Sequence, residues 1–600
     1  MGLKTEVKLA DYVFNYLKNI GVNDIFMLSG GGCMHLCDSL GRSGINYICC
    51  LHEQAASIAA LAYSQYKNDL GVALVTTGPG STNALTGVAG AWAESAPLMI
   101  ISGQVKTADI SGKSGVRMLG FQEAPTVDIV KPVTKYSVTV TDPLKIKYHL
   151  DKAVYIAKTG RPGPVWIDIP LDVQAVKIHP VKLESFKPVK KPARSLQQEA
   201  RKILSMIEKS QRPVIMAGYG IRLSGAANDF LKLVKMLGIP VLTTWKGADL
   251  LTNDNAYFFG RPGTAGQRGA NFILQNSDLL ISLGARLDFG QIGYEHETFA
   301  REAKKVIVDI DPAELGKFRF NVDMPVNADC GDLIKGMISL KPSLKKCKGW
   351  LAYCARVNKE YPVLLEEYGK KKKYVSTYAL AGEISNKMKS GDIFVPGSSG
   401  MCSDIPMQVF KFKKDQRSLN SPGIGSMGFG VPSALGACVA SGKKRVVCTN
   451  GDGGFQMNIQ ELETIRRLNL PVKFFVLNND GYASIKTTQR NYFGGFYVGS
   501  NSTSGVTLPD TIKIANAYGF KAFYLDKTSS IKQTVKKVLE SKGPAICEVM
   551  IDPMEIVSPK VSSAVGVDGK MFSKPLEDLF PFLSRPEFLR NMIIRPLKEN

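Results

Sequence analysis

"NGDGGFQMNIQELETIRRLNLPVKFFVLNND", residues 450–480, is the stretch on which the fold turns. "KRVVCTN" reads as a buried strand ending at Asn450, and "VKFFVLNN" as a second strand ending at Asn479. Between them Ile459, Leu462, Ile465 and Leu468 recur at helical spacing. Strand, helix and strand in that order form a βαβ unit, whose right-handed crossover lays the two strands parallel and side by side. Asp452 and Asn479, 479 − 452 = 27 residues apart, then both fall just past strand carboxyl ends, where open α/β sheets bind ligands.

Two readings of the stretch compete. In one, GDG is a turn and NN a strand terminus. In the other, Asp452 and Asn479 are oxygen ligands of Mg2+, an ion that takes one or two such protein ligands together with substrate phosphates. Gly453 and Gly454 would let the backbone approach a phosphate at a helix start. A helix of the right length followed by paired asparagines favours the second reading.

The alternation extends outward in both directions. "ADYVFNYLKNIGV" and "EQAASIAALAYSQY" are helical by period, while "DIFMLSGGG", "GVALVTTGPGSTN" and "APLMIISGQ" read as buried strands, two of them running into glycine turns. The pattern restarts at "RPVIMAGYGIR" and again at "GDIFVPGSSG". Two Lys/Pro-rich stretches, 186–194 and 342–374, read as linkers between the three restarts. The expectation is an α/β protein of three doubly wound parallel-sheet modules: residues 1–180, 195–345 and 375–560, followed by a tail, 561–600. A chain of 600 residues is too long for one core, which agrees.

Composition narrows the class. The net charge is +23, yet much of the conspicuous basic clustering lies in the two linker stretches, and no zinc-finger spacing or aromatic RNA-binding motif accompanies it. That argues for a solvated lysine surface that attracts anionic small molecules rather than for nucleic acid. No apolar run reaches membrane-spanning length and the N-terminus has no signal-peptide core, so no membrane partner and a cytoplasmic location are expected. The 11 cysteines are odd in number and include no C-x-x-C pair, pointing to reduced thiols.

The 450–480 stretch resembles the signature of thiamine-diphosphate enzymes, and the resemblance runs over nearly the whole chain to the acetolactate synthase group. It is carried by "SGGG", "HEQAASIAA", "TTGPGSTNALTGVAGAW" and "GFQEAPTVDIVKPVTKYS" in the first module and by "GIGSMGFGVPSALGA" in the third. The resemblance implies the thiamine-diphosphate-binding fold of pyrimidine-binding, central and diphosphate-binding modules. It implies that Glu53 is the catalytic glutamate that hydrogen-bonds the aminopyrimidine, and that Gln122, with Phe121, lines the substrate pocket. A carboxyl flanked by apolar helix has its proton affinity raised by desolvation, which suits sharing a proton with a ring nitrogen. Met427 matches the residue that props the cofactor into its bent form. Asp452, Asn479 and the Gly481 carbonyl match the metal ligands, and Gly31, Asn83, Gly400, Gly453, Gly454 and Tyr482 fall at cofactor-binding positions. Lys135 has a weaker claim on the pocket; its default reading is a surface lysine.

The middle module resembles the FAD-holding region of the same group, in which the flavin is structural rather than redox-active. Gly218, Thr244, Arg286, Asp309 and Asp329 fall at its binding positions. The second arginine of that motif is missing from "RLDFGQIG", which leaves FAD retention open.

Other departures cluster on the acceptor side. Met401 and Cys402 stand where the family has Gln-His, with Ser398 and Ser399 as candidate replacement donors. Thr488 stands where the family has a tryptophan, and the tail "FSKPLEDLFPFLSRPEFLRNM" is unusual. The function implied is a carboligase that decarboxylates a 2-keto acid, pyruvate first, and transfers the two-carbon unit to a second 2-keto acid or to a keto-sugar, including a keto-sugar nucleotide. A non-ligating decarboxylase or lyase and a non-catalytic binding protein are the alternatives. A homodimer or homotetramer is expected, since in the family each site is shared between subunits.

Overall fold

The computed structural model describes residues 6–112, 114–189, 194–342, 347–371, 373–565 and 571–597. Parts of both linker stretches, 190–193, 343–346 and 372, lie outside the described residues. Three parallel sheets form, one in each module, as the alternation of buried apolar runs and amphipathic helices requires.

The N-terminal sheet holds β1 (Asp24–Met27), β2 (Asn46–Cys49), β3 (Gly71–Val75), β4 (Leu98–Gln104), β5 (Tyr136–Thr139) and β6 (Val165–Pro170), in the order β2-β1-β3-β4-β6-β5. Between β2 and β3 runs α1 (Glu53–Lys67), capped by the His52 ring, whose Nδ1 accepts the Gln54 N–H at 3.0 Å, and ended by Asn68 in the left-handed region at φ 55°. The middle sheet holds β7 (Pro213–Ala217), β8 (Val241–Thr243), β9 (Leu279–Leu283), β10 (Lys304–Asp309) and β11 (Met324–Asn327), in the order β8-β7-β9-β10-β11. The helix α2 (Arg268–Gln275) packs on it.

The second linker stretch departs from expectation. It contains a helix, α3 (Lys348–Glu360), which buries Trp350, Cys354 and Val357 against the middle module. These three lie at i, i+4 and i+7, a helical stripe that the surrounding lysines obscure.

The C-terminal sheet holds β12 (Ile393–Pro396), β13 (Arg417–Ser418), β14 (Val446–Gly451), β15 (Val472–Asn478), β16 (Lys521–Leu525) and β17 (Ala545–Met550). Its order, β13-β12-β14-β15-β17-β16, repeats the order of the N-terminal sheet. Its site-bearing helices are α4 (Asp404–Val409), α5 (Gly430–Ala440), α6 (Asp452–Gln456), α7 (Glu461–Arg467) and α8 (Ala483–Tyr492).

The terminal modules share one hydrophobic core across α1 and α5. Both helices are rich in small residues, and a β-carbon on Gly436 of α5 would lie 2.0 Å from the Ala59 carbonyl oxygen of α1, so the backbones touch. All three modules meet at two buried carboxylates, Glu94 and Asp249. Lys246 of the middle module pairs at 3.3 Å with Glu94 of the first, whose carboxylate also accepts the Gly423 N–H of the third at 2.7 Å. Asp249 takes both Arg222 and Arg417, each at 2.9 Å, and the Arg417 guanidinium continues to the Gln65 and Tyr66 carbonyls. The tail docks on the middle module: Asn271 donates to the Leu576 carbonyl at 2.7 Å, and buried Asn276 accepts the Ile593 and Ile594 N–H groups. Among the described residues no helix is long and apolar enough to cross a membrane.

Candidate active site

β14 and β15 are parallel neighbours, with Asn450 opposite Val476, so their carboxyl ends open side by side. Asp452, the first residue of α6, is 2% exposed. Its Oδ2 accepts the N–H groups of Asn479 and Gly481 at 3.1 and 3.0 Å, and its Oδ1 that of Gly453 at 2.9 Å. Burial pushes its carboxyl up to about 6, against the pull of those N–H groups and of Lys486. Asn479 is also buried, and its Oδ1 has no hydrogen-bond partner. A buried carbonyl oxygen left unpaired is costly unless something outside the chain binds it.

The loop after Asn479 is shaped for close approach. Gly481 takes φ 106°, and a β-carbon there would lie 2.3 Å from the Ser500 carbonyl oxygen. Tyr482 is half-buried and flanks the N-terminus of α8, while Gly453 and Gly454 lie in the first turn of α6. Lys486, buried on α8, donates to the carbonyls of Asn479 and Asp480. Sequence reading passed over this lysine because nothing in "ASIK" distinguishes it from a solvated one.

Beyond β12, Gly400 is buried while Ser398 is half-buried and Ser399 exposed. Met401 and Cys402 turn inward to the core, and the Cys402 thiol donates to the Ser399 carbonyl at 3.2 Å. Met427 is 41% exposed, unusual for a methionine beside a shared core.

The N-terminal module gathers a second cluster. Glu53 opens α1 and is 6% exposed; its Oε2 accepts from Asn83 Nδ2 at 3.0 Å. Asn83 ends the short helix after β3, and Gly31 begins the turn after β1, so three loops at one sheet end converge. Gln122 is exposed, sits at φ 63°, and its carbonyl accepts the Thr77 hydroxyl at 3.3 Å; Phe121 beside it is 84% exposed. Lys135 is not a surface lysine. It is half-buried, donates to the Ile156 and Thr159 carbonyls at a helix C-terminus, and desolvation drops it to about 8.

Glu461 ties the clusters' scaffolds together. Fully buried on α7, it accepts the Leu51 N–H at 2.7 Å, two residues before Glu53, and the Thr464 hydroxyl at 2.7 Å. Among the described residues no hydrogen bond joins the Glu53 cluster to the Asp452 cluster directly.

A separate cavity of about 710 Å³ lies where the three modules meet. Thr244, Arg286, Asp309 and Asp329 all line it, and Gly218 lies directly before its lining residues Tyr219 and Gly220. Burial raises the carboxyls of Asp309 and Asp329. Arg286 reaches the Ala93 carbonyl at 2.7 Å and pairs with Asp288. Sequence reading missed two further lining residues. Arg161 comes from the N-terminal module and is held by Asp311 at 2.9 Å and Glu314 at 2.6 Å; Asp404 opens α4 of the C-terminal module. Both come from outside the module that carries the motif, so no local pattern exposes them.

Three family models match in the order of the modules: thiamine pyrophosphate enzyme N-terminal TPP binding domain over residues 7–129, central domain over 200–337, and C-terminal TPP binding domain over 398–549. The "probable acetolactate synthase large subunit" of Methanocaldococcus jannaschii is 34% identical over 576 residues, covering 92% of this chain and 93% of the relative. The protein of that name from Methanococcus aeolicus is 32% identical over 569 residues, with the same coverage. The "acetolactate synthase large subunit" of Lactococcus lactis is 32% identical over 560 residues, covering 93% of this chain and 94% of the relative. With matches spanning all three modules and nearly the full length of each relative, this chain belongs to the acetolactate synthase group of thiamine pyrophosphate enzymes.

Proposed function

We propose that this chain decarboxylates a 2-keto acid, with pyruvate the first candidate, and transfers the remaining two-carbon unit to a second carbonyl, with thiamine diphosphate held through Mg2+. The observation that carries this reading is the buried pair at the ends of β14 and β15: the Asp452 carboxylate and the unpartnered Asn479 Oδ1. Hard oxygen donors of this kind fit Mg2+, which keeps its remaining positions for phosphate and water. Asp452, Asn479 and the Gly481 carbonyl would hold the metal. Gly453, Gly454 and Tyr482, with Gly400 and the Ser398 and Ser399 hydroxyls, would receive the diphosphate.

When bound, the cofactor supplies a nucleophilic carbon and an electron sink for decarboxylation. The chain's own part is positional. Glu53 would hold a proton against the aminopyrimidine nitrogen, with Asn83 fixing one carboxylate oxygen so that the other faces the ligand. Gly31 lies open in the neighbouring turn. Met427 would prop the cofactor's bend, and Gln122 with Phe121 would cover the substrate. The exposure of Met427 and Phe121, large apolar groups beside a site, supports a second copy of the chain closing over each site. The state would be a homodimer or homotetramer.

On the acceptor side, Thr488 is exposed on α8 and its hydroxyl donates to the Ser484 carbonyl at 3.2 Å. A short side chain already satisfied by its own helix leaves open space where a bulky wall would discriminate among small acceptors. That supports a larger acceptor, of which a keto-sugar nucleotide drawn in by the basic surface is the leading candidate. For the 710 Å³ cavity we propose FAD, with Asp309 and Asp329 at the strand ends receiving ribose hydroxyls and Arg286 and Arg161 near the diphosphate. The size, the acidic pair at strand ends and the two guanidiniums fit that ligand.

The test is Asp452→Ala. The variant should lose Mg2+-dependent retention of thiamine diphosphate, with the fold intact by circular dichroism. A variant that still holds the cofactor in EDTA would overturn the metal assignment.

A further inference from the structure

The cavity between the modules has two chemically different ends. One is fixed by the middle sheet: Asp309 ends β10, and Gly220 and Asp329 stand just past the carboxyl ends of β7 and β11, the place where a doubly wound sheet receives a nucleotide. The other lies against the C-terminal module, where Asp404 and Pro422 line the wall. Gln408, also on α4, donates to the Ala265 carbonyl at 2.9 Å, so the lining segment 264–265 and α4 are fastened to each other. A ligand anchored by its nucleotide at the first end therefore presents whatever it carries to Asp404.

Asp404 is an unusual wall residue. No salt bridge to it is found among the described residues, and the groups that lower its proton affinity are the Gly400 N–H and the more distant Lys560 ammonium. Burial outweighs both and holds the carboxyl up at about 7. The carboxyl thus lines the cavity and at the same time contacts the Gly400 loop.

We propose that Asp404 is a positioning residue that keeps the bound flavin oxidised by placing a carboxylate beside its ring system. This rests on the reading of the cavity as an FAD site. Two-electron reduction puts negative charge on a flavin, and a neighbouring carboxylate in a poorly solvated wall disfavours that charge. The consequence for the reaction is selectivity. After carbon dioxide leaves, the two-carbon unit is a two-electron reductant. Passing both electrons to the flavin would oxidise the unit to the acyl level and remove it from carbon–carbon bond formation. A flavin made hard to reduce leaves condensation as the open route.

The experiment is a potentiometric titration of the flavin in purified holoprotein, in mildly alkaline buffer where the carboxyl is ionised. Flavin content per chain is measured first. Asp404→Asn, close in shape, should raise the midpoint potential relative to wild type, while Asp404→Glu should stay near it. Lys560→Gln removes an opposing charge that acts on Asp404 and should move the potential the other way, which tests the role of Asp404 even if Asp404→Asn folds poorly. Anaerobic addition of pyruvate should bleach the flavin faster in Asp404→Asn than in wild type. Unchanged potentials in both the Asp404→Asn and Lys560→Gln proteins, at equal flavin content, would overturn the role of Asp404. Wild type that neither contains nor takes up FAD would overturn the reading of the cavity on which it rests.

Discussion

Asp452 must be charged to hold a metal, yet it sits where charge is penalised. Its carboxyl is raised from 3.8 to about 6 by burial, so the folded apo chain binds a proton more tightly than the unfolded chain does. The sign follows from linkage: the apo protein loses stability as pH rises from the unfolded value through about 6, and the loss is complete above it. Metal needs the deprotonated form, so Mg2+ affinity should fall by about tenfold per pH unit below the folded value and level off above it. Calorimetric titration of Mg2+ with thiamine diphosphate across that range checks this; an affinity flat from acid to neutral pH would contradict it. The βαβ spacing placed Asp452 and Asn479 together in advance, because each sits at a fixed offset from a strand end, and the fold brings them together; Glu53 was singled out by the family resemblance rather than by spacing. Lys486 and Glu461 were not. The contacts that set them apart are with backbone groups brought close by the fold, and backbone leaves no mark in side-chain spacing.

The elements between β14 and β15 show where periodicity misleads. Apolar spacing from Ile459 onward predicts one helix over 457–469, but the chain forms α6, a turn over 457–460, and then α7. The turn has a cause. Buried Asn458 donates its amide to the Gly428 carbonyl at 2.8 Å, and a side chain committed to a distant loop competes with helix. α3 is the converse, a helix hidden among lysines. The tail is the element least legible in advance, because its anchors, Asn271 and Asn276 among them, lie some 300 residues earlier. Asn276 accepts the Ile593 and Ile594 N–H groups at 2.7 and 3.1 Å and donates to the Asn591 carbonyl at 3.0 Å. Asn276→Ala leaves the buried Ile594 N–H unpaired, at a cost of about 1–3 kcal/mol, and removes the partner of the more exposed Ile593 N–H. Thermal denaturation should show a lowered Tm, and limited proteolysis should cut first within 571–597. Equal Tm and unchanged cleavage would mean the tail is held elsewhere.

At the scale of the whole molecule, the first and third sheets repeat one strand order, and each carries a cluster at its carboxyl end, one with Glu53 and the other with Asp452, which under the proposed function are two halves of a site. The alternation of strands and helices announced the three modules, but not that the first and third share a core or that all three lock at Glu94–Lys246 and Asp249. Those contacts join residues hundreds apart and leave no periodic trace. If each working site takes one half from each of two copies, a Glu53→Gln chain mixed with an Asp452→Ala chain should recover turnover that neither has alone. Absence of rescue between chains shown by mass to have exchanged would mean that each site is built within one chain. The most direct measurement of the central claim is a product assay with labelled pyruvate, thiamine diphosphate and Mg2+, against a panel of 2-keto acids and keto-sugar nucleotides. Label should be released as carbon dioxide together with a matching amount of a condensed product, larger with a keto-sugar nucleotide than with pyruvate alone. Carbon dioxide release with no condensed product from any acceptor would contradict it.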